Sequence, residues 1–155
     1  MKRSIILALI LALVFSMAAF ADEEGEDKDF GIFKTYVPND WTAVKKDDET
    51  VTFTKNDNTS QVSVTVAPTG GASTKELADK LVEEFKKTFT DITEPQADND
   101  GDYMFEMKNP DGVKSAVLLS SEGEKYCLFV MTGVDEGAAG LVQIIAGVQN
   151  SLAGR

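Results

Sequence analysis

Residues 98–102 (DNDGD) carry the clearest metal-binding pattern in the chain. Asp98, Asp100 and Asp102 stand at alternate positions, and oxygen ligands spaced in this way can wrap a calcium ion. The pattern then departs from a calcium loop, because Tyr103 occupies the position that needs glycine and the twelfth position is an asparagine. We therefore expect a polar turn, in which the three aspartates are only candidate metal ligands, and we predict no cofactor.

Groups for nucleophilic catalysis are scarce. The chain has no histidine and a single cysteine, which excludes Ser-His-Asp and Cys-His mechanisms and histidine metal sites. Cys127 lies in the apolar run 126–131, so we expect a buried, inert thiol. A pair of carboxylates remains an alternative for acid–base chemistry, although the acids fall mostly in turns and on a helix surface. We predict no catalytic residues.

The charge balance restricts the class of partner. The formal net charge is −11, and it falls to −13 if Lys2 and Arg3 are removed with the leader described next. Lysine and arginine supply the phosphate contacts that nucleic-acid binding requires, so we predict no nucleic-acid partner. Basic proteins and cations remain compatible with this charge.

The first 21 residues predict an export signal. Lys2 and Arg3 precede the apolar run 5–15, and residues 19–21 (AFA) form a small-x-small cleavage site. The residue after the expected cut is Asp22 rather than the cysteine that a lipoprotein needs. We therefore expect a bacterial protein that is cleaved, has no lipid anchor, and is periplasmic or secreted.

Beyond the leader, the sequence predicts an acidic, disordered lead-in over residues 22–29 and one domain over 30–155. Strands are expected at 30–37 and 42–46, with an edge strand near 92–96 that Pro95 weakens. Residues 50–55 and 61–67 alternate strictly, which indicates a β-meander with one dry face. Residues 113–120 and 125–132 are apolar on both faces and are expected to be central strands. The outward residues of the meander are Thr50, Thr52, Thr54, Gln61, Ser63 and Thr65.

Two helices are predicted. Ser73 and Glu76 form a capping box that opens the first, which the apolar spacing extends to about Phe89. The second covers 138–152 and has no charged residue. Val142 and Ala146 widen its apolar arc, so it either packs on the sheet or also presents one side to a partner or a second copy of the chain.

Trp41 is the only tryptophan. It is interpreted either as a residue that closes the core or as an exposed contact residue, because aromatic side chains concentrate at binding hot spots.

The order of these elements, with residues 36–41 (YVPNDW), Ser73 and the hairpin 113–132 before the last helix, resembles the PsbP-like superfamily. The resemblance covers most of residues 30–152. The superfamily includes exported bacterial DcrB/PsbP-like domains. It implies an α+β fold, an antiparallel β-sheet flanked by two helices in an α-β-α sandwich. It also implies a non-enzymatic role in binding other proteins. Many DcrB-like members are lipoproteins, whereas this chain lacks the cysteine for lipid attachment.

The sequence therefore favours a non-catalytic exported accessory domain that contacts another envelope protein. The expected contact residues are Trp41, Val142 and Ala146, and a homodimer through the last helix is an alternative. A carrier of a small apolar ligand or lipid is the second hypothesis, because Phe and Met are frequent. A carboxylate-based hydrolase is the third.

Overall fold

The computed structural model describes residues 24–154; the predicted signal peptide and its cleavage point before Asp22 lie outside them. Alternation of apolar and polar residues produces strands such as those over 50–55 and 61–68, and one amphipathic and one largely apolar segment form the helices. In chain order the elements are β1 (Gly25–Asp29), β2 (Lys34–Pro38), β3 (Trp41–Lys45), β4 (Thr50–Lys55), β5 (Gln61–Pro68), α1 (Thr74–Phe85), β6 (Gln96–Ala97), β7 (Tyr103–Lys108), β8 (Lys114–Glu122), β9 (Lys125–Thr132) and α2 (Ala138–Leu152).

A seven-stranded antiparallel sheet runs in the order β3-β4-β5-β9-β8-β7-β6. The strands predicted to be central, β8 and β9, lie in its middle, and their two apolar faces contribute to separate cores. β1 and β2 form a separate antiparallel ribbon. The predicted α+β architecture, with a helix on each face of the sheet, is confirmed.

The larger core lies between the sheet and α2. Leu141, Ile144 and Val148 of the helix pack in one cluster with Phe53 and Phe129 of the sheet. Complete burial of such side chains contributes about 1.5–3 kcal/mol each.

The β1–β2 ribbon lies alongside α2. The Thr35 hydroxyl donates to the Ile144 carbonyl at 2.8 Å, and the Lys34 N–H donates to the Ser151 hydroxyl at 2.9 Å.

The smaller core lies under α1. The Glu76 N–H donates to the Ser73 hydroxyl at 3.2 Å, which confirms the predicted cap. Leu77, Leu81 and Phe85 pack against the face of the sheet that carries Phe105. The helix ends at Phe85 rather than near Phe89, because three residues of turn follow it, while Phe89 still packs on this core.

The predicted disorder of the acidic lead-in is wrong for residues 25–29, which form β1. Their side chains are largely exposed, as the composition suggested. Backbone pairing with β2 supplies the order, since ladder hydrogen bonds need no apolar side chain.

Two strand boundaries also differ from the prediction. The first long strand begins at Lys34 because residues 30–33 form a bend in which the Phe30 N–H donates to the Phe33 carbonyl at 2.9 Å. The edge strand expected at 92–96 is displaced to Gln96–Ala97.

Candidate functional site

No helix within residues 24–154 covers one half of a sheet face. Residues on β3, β4 and β5 that point away from α2 form this surface, because α1 packs mainly over β7 and β8. All but Thr52 are at least partly exposed, and Val44 keeps 49 % of its surface accessible. We call this surface the open face; it consists of Thr42, Val44, Thr50, Thr52, Thr54, Gln61, Ser63 and Thr65.

The strand register arranges the open face in cross-strand rows. Val44, Thr52 and Ser63 form the middle row. The Thr52 and Ser63 hydroxyls lie 3.2 Å apart, and in the next row those of Thr50 and Thr65 lie 2.9 Å apart. Cross-strand hydroxyl pairs of this kind hold side-chain rotamers in place, so the open face is a preorganised surface of methyl and hydroxyl groups.

The open face carries no charged side chain, although 26 % of the chain's residues are charged. Its borders are different. Lys46 follows Val44 along the strand direction, and Tyr126 lies beyond the row of Thr50 and Thr65. Burial, and then the charge of Glu49, raise the pKa of Tyr126 above its usual range. The open face is therefore suited to contact an uncharged surface of another molecule.

Residues 98–102, which were expected to form a polar turn, do form one. One carboxylate oxygen of Asp98 accepts the N–H groups of Asp100 and Asp102 at 2.8 and 2.9 Å. Among residues 24–154, no group of three His, Cys, Asp or Glu side chains is placed to hold a metal ion. The Asp98 carboxylate thus caps the backbone of the turn, while Asp100 and Asp102 line the groove beside it.

An acidic groove of about 410 Å³ lies beside this turn, against the last turn of α2. Its lining includes Asp100, Asp102 and Glu122. Burial raises the pKa of Asp102 to about 6, and the negative charges of Asp98, Asp100 and Glu122 add to the shift. Asp102 therefore changes its protonation state within the physiological range.

A second groove of about 470 Å³ lies between the β1–β2 ribbon and α2. Asp27, Lys34, Tyr36 and Asn150 are among its lining residues. The acidic groove is lined largely by polar groups, whereas a carrier of an apolar ligand needs a predominantly apolar lining.

Comparison with known proteins identifies the fold. No protein-family model and no curated protein matches the chain. The chain is similar to the solution structure of cyanobacterial PsbP (CyanoP) from Synechocystis sp. PCC 6803. The match has a TM-score of 0.52 and 14 % identity, and it covers 81 % of this chain and 89 % of that one. The chain has a PsbP-like fold.

In this PsbP-like fold the tryptophan of the YVPNDW motif is part of the core. Trp41 begins β3 and is only 5 % exposed. Its indole lies against α2, where Gly137 and Gly140 leave space for the ring. A Cβ at residue 140 would overlap the indole nitrogen. The structure therefore places Trp41 in the core, which is the first of the two interpretations of this residue. Trp41 is not an exposed contact residue.

The other two predicted contact residues, Val142 and Ala146, differ from each other in exposure. Val142 is 3 % exposed and so offers no surface to a partner, while Ala146 is partly exposed. The structure does not bring the three residues together into one surface. The open face was missed as a site, although the strict alternation of threonine with buried valine and phenylalanine predicted its residues to point outward.

No helix within residues 24–154 combines the length and apolar character needed to cross a membrane.

Proposed function

We propose that the chain is a non-catalytic, exported accessory domain that binds another extracytoplasmic protein through its open face. The observation that supports this most directly is an uncharged half-face of the sheet that no helix of the described chain covers. Ordered hydroxyl pairs and the exposed Val44 make it a ready contact surface. The export signal predicted over residues 1–21 supports a contact outside the cytoplasm.

The described surface favours protein binding over the carrier hypothesis. The Phe and Met side chains that motivated the carrier hypothesis largely fill the two cores, since Phe53, Phe105, Phe129, Met107 and Met131 are fully buried. The acidic groove beside residues 98–102 is lined mainly by polar groups. A partner protein needs no internal cavity, and the open face is available to it.

The experiment compares two threonine-to-arginine variants in capture of a partner from envelope extract. Thr54→Arg places a charge on the open face, at a residue for which no side-chain hydrogen bond is found in the described chain. Thr88→Arg is the matched control, because exposed Thr88 follows α1 near the β7 side of the sheet. Burying an unpaired charge in an interface weakens binding, so we expect Thr54→Arg to lose about tenfold or more in affinity, which is about 1.4 kcal/mol.

The control variant shows whether a loss of partner capture is specific to the open face. Thr88→Arg is expected to capture the same partner as the wild type. Equal capture by both variants and the wild type would contradict the proposal, and so would the absence of any specific partner. N-terminal sequencing of the exported protein tests the compartment: the proposal requires Asp22 as the first residue.

A second candidate function, carboxylate-based hydrolysis, is favoured by one observation, the acidic groove. Asp102 has a pKa of about 6, a value suited to a general acid, and Glu122 lines the same groove. A screen with chromogenic ester and glycoside substrates between pH 5 and pH 8 tests it. Activity that Asp102→Asn abolishes would support hydrolysis, and no turnover by the wild type would remove it.

A further inference from the structure

The open face ends at a strand edge that pairs with no other strand in the part of the chain that the structure describes. β3 is the first strand of the seven-stranded sheet, and β2, which precedes it, pairs with β1 instead. The opposite edge, β6, has only two residues. β3 has five, with no proline, and is the longer of the two edges. Unpaired strand edges are templates for pairing with another chain.

The register determines which backbone groups of β3 point outward. The Lys46 N–H donates to the Thr50 carbonyl, and the Asn56 N–H donates to the Asp40 carbonyl, each at 2.8 Å. Hydrogen-bonded and non-hydrogen-bonded pairs alternate along an antiparallel ladder, so Thr42 and Val44 also bond to β4.

It follows that Trp41, Ala43 and Lys45, in the intervening pairs, direct their N–H and C=O groups away from β4. This row of three residues is the free hydrogen-bonding edge, and no strand of the described chain pairs with that side of β3.

The size of the open face and the charges of the chain indicate which kind of partner can bind to the free edge of β3. At ordinary strand spacings the open face measures roughly 300 Å², whereas a stable interface buries about 800 Å² per partner. The open face alone is too small for a stable dimer, and two copies with a net charge of −11 each repel one another. Lys45 and Lys46 are exposed at the end of the edge and join none of the ion pairs found within residues 24–154.

We propose that the partner supplies an extended segment that adds as an antiparallel strand to the free edge of β3. The segment is uncharged where it borders Ala43 and Val44, and acidic where it meets Lys45 and Lys46. Backbone hydrogen bonds to residues 41, 43 and 45 supply affinity, and the alternate side chains of the added strand extend the open face. This inference rests on the proposed function and names how the partner binds.

The test uses a synthetic peptide, acetyl-Glu-Glu-Thr-Val-Thr-Val-Thr-amide, and amide hydrogen exchange of the purified chain measured by NMR. In the free chain, the N–H groups of Ala43 and Lys45 should exchange faster than those of Thr42 and Val44. With the peptide at millimolar concentration, exchange at Ala43 and Lys45 should slow by about tenfold or more, because a new ladder protects them. The control peptide has the same sequence with N-methyl groups on alternate residues, which block pairing.

The outcomes separate the inference from the proposed function. No protection at Ala43 and Lys45, or equal protection by the N-methylated peptide, overturns strand addition. If Thr54→Arg still abolishes partner capture in that case, the open face remains the binding surface. A dimer of the free chain in sedimentation equilibrium that protects these same amides also overturns it, because the occupant would then be a second copy.

A variant provides an independent arm. Ala43→Pro removes an N–H that points outward and takes no part in the β3–β4 ladder, so the fold should persist. This variant should lose the peptide-induced protection at Lys45. Unchanged protection in a folded Ala43→Pro chain contradicts the inference. If the variant fails to fold, the N-methylated peptide decides the question with the wild-type chain.

Discussion

Replacing Asp102 by asparagine should stabilise the protein at neutral pH. Its carboxylate is half-buried in the acidic groove, and its pKa is raised from 3.8 to about 6. One pKa unit corresponds to about 1.4 kcal/mol, so a fully realised shift would cost about 3 kcal/mol. Solvent screening of a half-exposed group reduces this to about 1–1.5 kcal/mol. Asparagine keeps the shape without the charge, and we expect Asp102→Asn to recover that amount.

The pH dependence follows from the direction of the shift. Between pH 4 and pH 6 the folded chain binds more protons at Asp102 than the unfolded chain does, so the free energy of unfolding falls as pH rises through this window. The advantage of Asp102→Asn should therefore be largest above pH 7 and disappear near pH 4. Urea unfolding at pH 4 and pH 7.5, followed by tryptophan fluorescence, measures it.

Asp111→Asn is the matched control, because Asp111 is an exposed aspartate in the turn between β7 and β8. It should change the free energy of unfolding little at either pH. The reasoning would be refuted if Asp102→Asn were less stable than the wild type at pH 7.5, or if its advantage were the same at both pH values.

Three further predictions concern packing, the thiol and the helix cap. Gly140→Ala should lower the free energy of unfolding by about 1–3 kcal/mol in urea titrations, because the new methyl group overlaps Trp41. An unchanged tryptophan emission and an unchanged midpoint of urea unfolding would contradict this contact. Cys127 should resist a thiol reagent in the folded chain and react in urea, since burial holds its pKa well above the usual range; rapid reaction under native conditions would contradict the burial. Ser73→Ala should cost about 1 kcal/mol by thermal unfolding, through loss of the bond from the Glu76 N–H, and a neutral result would show that this cap contributes little.

Local patterns predicted those parts of the fold that depend on local chemistry. The alternation in 50–55 and 61–67 predicted the strands that carry the open face, and the capping box placed the first turn of α1. The strand 25–29 was missed because its order comes from backbone pairing with β2, which leaves no apolar signature.

The candidate site was harder to predict, since it depends on what covers each face. The position of Trp41 is decided by Gly140, which arrives from the far end of the chain. The sequence near Trp41 alone is therefore compatible with either a core tryptophan or an exposed one. The open face is open because α1 lies over β7 and β8, and the strand pattern alone cannot show how far a helix extends across a sheet. Alternation predicts which residues leave the core but does not predict whether a second layer covers them.

Site-specific photo-cross-linking in intact cells tests most directly whether the open face is the partner surface. A photoreactive residue is placed at Gln61, an exposed residue of the open face, and separately at Thr88 as the control. The account predicts a discrete adduct with one extracytoplasmic protein from position 61 and none from position 88. An adduct of equal yield from both positions, or none from position 61, would contradict it.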